Sequence, residues 1–355
     1  MKKSAQVSYL RQLCCLGLGG QIIMPDVMRA LHGIIPSSFN NFLWADENYQ
    51  TSAVLCEETF PELETLYFKE YHNSKEADAL KTTFSQAMRR GRDWVNSERL
   101  GQGFLASELF NNVIKPAGIR HMIEATICVK RRGVGSMVLN RAPGEKPFSH
   151  DEETRLRNLT PYIAYGLQGS RDLRGEITPS GNSGMLVVDH QHKIVEICPE
   201  GRRLMLLAMH PGLTRYTLGL DSSAVKHLCV NLRGILQGRC RPVPVFRQRN
   251  AWGEFLFRGY PLSIDGQPDG LIGIVIEHHE PSPLKLMRNM RELPLTARQR
   301  EVCLLLSYGY TRNMIGPRMH VSNHTAIDYV RKIYDKLEVS TQGQLIKKLM
   351  NIAST

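Results

Sequence analysis

The apolar positions near the C-terminal end repeat with a helical period. Ala326, Val330, Ile333 and Leu337 are spaced by four, three and four residues, so in a helix they share one face. Asn323, His324, Ile327, Asp328, Arg331 and Lys332 fall on the other side. Upstream, Thr296 and Gln299 form a capping-box pattern that starts a helix carrying Val302, Leu305 and Leu306, and Gly309 is placed to end it in a left-handed turn. Thr311 is the expected cap of a short helix with Met314, Ile315 and Met319, and Ser322 the cap of the helix with the polar outer face.

The rest of the chain mixes both periods. Helices are expected over 7–18, 25–35 (with Pro25 in the first turn), 61–71 and 74–90, and a strand over 39–44. Strand-like runs cover 121–129 and 134–140, around a basic turn at Arg131, Arg132 and Gly133. Ser149 and Glu152 form a second capping box, opening a helix with Leu156, Leu159, Ile163 and Leu167 on one face. Residues 169–184 are rich in Gly, Ser, Pro and charge without periodicity, which describes a linker. Beyond them come strands over 185–188 and 194–198, a helix over 201–209, and strands over 243–247, 254–262 and 271–278 with a turn at 265–270. The stretch from Glu280 to Pro294 contains three prolines and marks a second linker, with Leu284, Leu286, Met287 and Met290 on a short helix.

Two short helices joined by a tight turn, the later one polar and basic outside, suit insertion into the DNA major groove. A helical docking module with solvated charges has the same pattern. The run L-T-x-R-x-R-E-V from Leu293, then G-x-T, S-x-x-T and K-L-x-V, resembles the LuxR-type helix-turn-helix domain, a four-helix DNA-binding module, over about Leu293–Ile352. By position the resemblance implies phosphate contacts from Asn313, Ser322 and Thr325, and groove-facing roles for Ile327, Asp328, Arg331 and Lys332, with Asn323 beside them. It also implies a fourth helix over 343–352 that commonly carries the dimer contact. Ile327 stands where the family usually has lysine, and offers an apolar group to a thymine methyl. Asp328 would repel phosphate and accept from cytosine. Pro317 lies inside the second helix, where a proline deletes a hydrogen bond and distorts the turn.

The element order of the first region, with R-x-P-x-x-x-x-F-S at Arg141–Ser149, resembles a GAF-type sensory domain, and the order after residue 184 resembles a PAS-type fold. The expectation is therefore a multidomain chain: an α+β GAF-like domain at 1–168, a linker at 169–184, an α+β PAS-like domain at 185–280, a linker at 281–292 and an all-α four-helix helix-turn-helix domain at 293–355.

Charge sharpens this picture. The chain of 355 residues carries a formal +11. From Arg291 to Thr355 ten Lys or Arg face five Asp or Glu, so the excess is densest where phosphate contacts need it. The eight cysteines include no C-x-x-C pair, which argues for reduced, buried thiols in a cytoplasmic protein and against a zinc site. His190 and His192 have no third ligand nearby and read as solvated turn residues, and Trp44, Trp94 and Trp252 read as core. Arg11 and Gln12 interrupt the apolar N-terminal block, no small-residue cleavage site follows, and no apolar run is long enough for a membrane span. No G-x-S-x-G, P-loop or H-E-x-x-H is present, so the reading is not an enzyme, and no cofactor is expected. The expected function is a cytoplasmic transcriptional regulator, a homodimer on double-stranded DNA, whose front domains sense a small molecule. The alternatives are a regulator driven by protein docking alone, or an unrecognised enzyme fused to a DNA-binding domain.

Overall fold

The computed structural model describes residues 3–91, 94–169, 177–209, 223–236, 239, 243–262 and 271–351. Chain contacts divide into two compact units, one of 1–36, 165–178 and 280–355, the other of 37–164 and 179–279.

The second unit holds two antiparallel sheets. The first has strands β1 (Phe39–Ala45), β2 (Thr51–Cys56), β3 (Trp94–Asn96), β4 (His121–Val129) and β5 (Arg132–Arg141) in the order β2-β1-β5-β4-β3. The second has β6 (Ile177–Val188), β7 (Ile194–Ile197), β8 (Val245–Asn250), β9 (Gly253–Pro261) and β10 (Ile272–Pro281) in the order β7-β6-β10-β9-β8. Counted from its own first strand, each sheet has the order 2-1-5-4-3, so one topology occurs twice. Neither β2 nor β3 was expected: β3 has three residues, and β2 buries the adjacent Ala53 and Val54 instead of alternate positions. Strand β6 begins inside the stretch expected as a linker, and the turn expected at 265–270 lies outside the described residues.

Helix α1 (Lys3–Cys14) and helix α2 (Gly20–His32) precede β1, and α2 starts five residues before Pro25, which therefore sits inside the helix and not in its first turn. Between β2 and β3 come α3 (Pro61–Leu66), a wide helical segment at Tyr67–Lys75 kinked at His72 and Asn73, α4 (Glu76–Leu80) and α5 (Phe84–Arg90). The single helix expected over 74–90 is broken because Lys81 turns left-handed at φ 65° and Thr83 forms a new capping box with Gln86. Helix α6 (Ser97–Ala106) follows β3. The β4–β5 turn is Lys130–Arg131, both with positive φ, one position earlier than the glycine-containing turn expected.

Helix α7 (His150–Gln168) opens on the expected capping box: Ser149 N–H donates to Glu152 Oε2 at 2.9 Å and Glu152 N–H to Ser149 Oγ at 3.3 Å. The Arg141–Ser149 run is a clamp. Buried Arg141 stacks over Phe148 with its Cζ 3.9 Å from the ring centroid, and donates to Glu152 Oε1 at 2.7 Å. The second sheet is joined by α8 (Pro199–Met209) and α9 (Ser223–Leu236). Trp44 and Trp252 meet edge to face, ring centroids 5.3 Å apart.

In the first unit, α1 and α2 bury Leu10, Leu13, Ile23, Val27, Met28 and Leu31. With them are α10 (Ser282–Asn289), α11 (Ala297–Ser307), α12 (Arg312–Met319), α13 (Asn323–Leu337) and α14 (Gln342–Met350). Helix α10 follows β10 directly and buries Leu284, Leu286 and Met287, with Met290 buried just beyond, so the expected short helix forms. Gln12 Nε2 donates to Ala297 O at 2.7 Å, and Arg300 Nε donates to Gln12 Oε1 at 3.0 Å. Among the described residues no helix is long and apolar enough to cross a membrane.

Cys14, Cys229 and Cys303 are buried as expected, and burial pushes the Cys303 thiol up to about 12. Cys15, just after α1, and Cys198, just before α8, are exposed and Cys56 and Cys128 half-buried, against the expectation of buried thiols; Cys240 lies outside the described residues.

Candidate nucleic-acid interface and buried cavity

Helix α11 starts with the capping box at Thr296 and Gln299, in which Gln299 N–H donates to Thr296 Oγ1 at 3.2 Å and Thr296 N–H to Gln299 Oε1 at 3.0 Å. Gly309 has φ 82° and terminates it, while Gly309 N–H bonds Leu306 O and Tyr310 N–H bonds Leu305 O. Thr311 occupies the cap position of α12 in an extended conformation, but its side chain makes no cap hydrogen bond. Helix α12 runs through Pro317 to Met319.

His320 then turns left-handed at φ 53°, and Val321 N–H bonds Gly316 O at 3.0 Å, closing the turn. At Gly316 a Cβ would lie 2.8 Å from Asn323 Oδ1 and 3.1 Å from Val321 O, so the close crossing of α12 and α13 depends on a missing side chain. Ser322 Oγ accepts from Thr325 N–H at 3.1 Å and lies 2.8 Å from Thr325 Oγ1.

Helix α13 is sharply two-sided. Ala326, Val330, Ile333 and Leu337 are buried, as the spacing required. Of the eight expected contact residues, Asn313, Ser322, Asn323, Thr325, Ile327, Arg331 and Lys332 are exposed and Asp328 is half-buried. Seven lie on or immediately before α13, and Asn313 is on α12.

Asp328 binds two cations at once. Arg331 Nη2 donates to its Oδ1 at 2.7 Å and Lys332 Nζ approaches its Oδ2 at 2.7 Å. The hydrogen bond from Lys332, with its charge and the bond from Arg331, holds this carboxyl below the usual range. The free surface therefore presents Arg331 and Lys332 already gathered on a carboxylate that sequence reasoning assigned a base contact of its own.

Two exposed cations on α12 were missed from the sequence. Arg312 sits over Tyr334 at 5.6 Å and Arg318 over Tyr310 at 3.9 Å, both on α12. They were legible as the basic positions flanking Ile315 and Met319. Lys336 is otherwise employed: it donates to Pro294 O at 2.8 Å and Gln299 Oε1 at 2.9 Å, bracing α13 against the start of α11.

Residues 293–349 match the family described as bacterial regulatory proteins, luxR family. This segment is a luxR-family domain. A DNA-binding helix-turn-helix of the bacterial regulatory class thus occupies the C-terminal part of the chain. Its fourth helix, α14, buries Leu345 and Leu349 within the same unit, where Asn289 Nδ2 donates to Leu349 O at 2.7 Å.

Comparison with curated proteins gives no match. Solved structures similar in part include the GAF domain/HD domain protein of Geobacter sulfurreducens, at 15% identity and TM-score 0.31 over 42% of this chain and 92% of that one. Escherichia coli SdiA is similar at 10% identity and TM-score 0.27 over 93% and 87% of the two chains. Vibrio cholerae VqmA, described as a dimer and a LuxR-type receptor, is similar at 17% identity and TM-score 0.17 over 48% and 83%.

A second candidate site lies on the first sheet. Over the face that carries Asn41, Leu43, Met122, Glu124, Val138 and Asn140 is a cavity of about 170 Å³, roofed by residues of α3 to α5 and the helical turns after α6. Its walls are mostly apolar and aromatic, with a few polar groups, the composition of a small-molecule site. Asn140 is 1% exposed, and neither its Oδ1 nor its Nδ2 has a hydrogen-bond partner among the described residues; Asn41 Oδ1 is in the same position. Glu76 is buried and accepts from Tyr67 O–H at 2.6 Å and from Phe84 N–H at 2.6 Å. Burial opposes its ionisation, but hydrogen bonding and charge from His72 outweigh that and hold the carboxyl below its ordinary range. Burial, followed by the charge of Glu76, pushes the Tyr67 phenol far up, so it stays protonated and donates. None of the three tryptophans lines this cavity.

Proposed function

We propose that the protein is a cytoplasmic transcriptional regulator in which α13 reads duplex DNA as part of a homodimer and the cavity over the first sheet holds a small-molecule effector. The observation that carries the DNA reading is the two-sidedness of α13: its apolar face is spent on the luxR-family domain, leaving Arg331, Lys332, Ile327 and Thr325 exposed on a basic module. In this reading Asn313, Ser322 and Thr325 contact phosphate, while Ile327, Asp328, Arg331 and Lys332 face the groove with Asn323 at their edge. Arg331 discriminates bases only if it leaves Asp328, so recognition exchanges one ion pair for a bidentate base contact.

The sensory reading rests on the cavity and on Asn140. A buried side-chain amide without a partner costs about 1 to 3 kcal/mol, and such a group aimed into a cavity is explained by a ligand that satisfies it. Domain boundaries at 1–168, 185–280 and 293–355, with GAF-like and PAS-like front domains, belong to the same proposal.

Selection of bound duplexes from a random-sequence pool by the full-length protein tests the function. The expected result is convergence on a two-fold symmetric site with half-sites about one helical turn apart. Recovery of an unenriched pool would remove the DNA-reading role.

A further inference from the structure

The cavity over the first sheet has a charge of its own, opposite to that of the protein. Among the described residues four carboxylates line it, Glu58, Glu64, Glu76 and Glu124, and no Lys, Arg or His side chain does, in a chain whose formal net charge is +11. Three of the four are fixed by local donors. Glu64 Oε1 accepts from Phe60 N–H at 2.9 Å, Glu76 accepts from Tyr67 and Phe84, and Glu124 accepts from Ser136 O–H across the β4–β5 ladder. Glu58 is exposed at the margin.

Aromatic faces accompany these charges: Phe39, Phe60, Tyr67, Phe68 and Phe84 line the same space. The sheet floor adds the amides. Asn140 pairs with Phe39 and Asn41 with Val138 across the β1–β5 ladder, so the two asparagines are diagonal neighbours on one face. Their Oδ1 atoms, both without partners among the described residues, are acceptors for N–H groups, and Asn140 Nδ2 is a donor to one ligand oxygen or nitrogen.

We infer that this cavity takes a small organic cation, an amine with an apolar body, and excludes carboxylates and phosphates. The inference rests on the proposal that the cavity is the effector site, and it names the chemical class. An anion brought here would meet four carboxylates between mostly apolar walls; His72, 3.6 Å from Glu76, lies outside the lining. An ammonium group gains from the carboxylates, from the aromatic faces and from the two amide oxygens together. The apolar body fills the part of the cavity walled by Leu43, Val54, Leu109, Ile114 and Met122.

The test uses the full-length protein and three probes of one shape: 2-phenylethylamine, 2-phenylethanol and phenylacetate. Thermal unfolding and calorimetric titration are expected to show stabilisation by the amine above the alcohol and none by the acid. Glu64→Gln with Glu124→Gln should weaken the amine about tenfold and leave the alcohol unchanged. Equal binding of amine and alcohol, or preference for the acid, overturns the cationic inference while leaving the cavity as an effector site. Binding of none of the three by the wild-type protein overturns both.

Discussion

Arg288 grips Asp26 with two hydrogen bonds, from Nε to Oδ1 at 2.9 Å and from Nη2 to Oδ2 at 2.8 Å. The same guanidinium bonds both oxygens of Glu280, at 2.9 and 2.7 Å. One arginine thus joins α2, the end of β10 and α10 within the unit that contains the luxR-family domain. Asp26 is 3% exposed and Glu280 1%, and Arg29 Nη1 also donates to Asp26 Oδ1 at 2.9 Å.

Removing the cation from such a triad should be costly. Arg288→Ala is expected to lower stability by about 3 to 5 kcal/mol in chemical denaturation, because it leaves buried carboxylates facing each other. Burial already raises the Glu280 carboxyl, ahead of the opposing charge of Arg288. A carboxyl raised in the folded state stabilises below its unfolded value and loses that contribution as pH rises through the folded one. The deficit of Arg288→Ala should therefore shrink on acidification through the carboxylate range. A deficit independent of pH would show that the triad is not the cause.

Ser322 has two roles that different substitutions separate. Its Oγ caps α13, so Ser322→Ala should cost about 1 kcal/mol in stability and weaken every DNA sequence alike. Ser322→Asp keeps a capping acceptor and places a charge where phosphate is expected. Its stability should match the wild type while DNA affinity falls. Wild-type affinity in Ser322→Asp would remove the phosphate contact.

Asp328 holds Arg331 and Lys332 in the free protein. Asp328→Asn should release both, raise affinity for unrelated duplexes, and cut discrimination at one base pair by about 1 to 3 kcal/mol. Competition binding against a scrambled duplex reads this directly, and an unchanged ratio would place Asp328 outside the groove.

Asn140→Leu separates binding from folding. Replacing an unpartnered buried amide with an apolar side chain should leave stability equal or higher, by up to about 1 kcal/mol, and abolish binding of the amine probe. A clear fall in stability would make Asn140 a structural residue.

The C-terminal helices were legible because their signals are local and mutually consistent. Thr296 with Gln299, Gly309 with its positive φ, and Ser322 each fix one helix end through backbone groups within a few residues. The buried face from Ala326 to Leu337 needs only a 3.6-residue period. Pro25 misled because the start of α2 is set by packing, with Gly19 in the cap position and no side-chain bond to announce it. Strand β3 escaped because three residues are too few to show an alternation, and β2 because it buries the adjacent Ala53 and Val54; each is held by its neighbour, Val54 by Leu43 and Val95 by Glu124. The cavity was invisible for a stronger reason. Asn41, Glu76, Glu124 and Asn140 come from four elements, and only the tertiary fold brings them to one space. The ion pairs of Asp328 could have been anticipated from their spacing of three and four along α13, but the choice between base contact and clamp could not.

Salt-dependent affinity of the full-length protein for its selected duplex tests the DNA-reading role most directly, with Lys332→Ala beside the wild type. The account predicts that log affinity falls linearly with log salt, by about 0.9 for each phosphate neutralised, and that Lys332→Ala makes this slope shallower by about one. A wild-type affinity that does not change with salt, or an identical slope in Lys332→Ala, would contradict it.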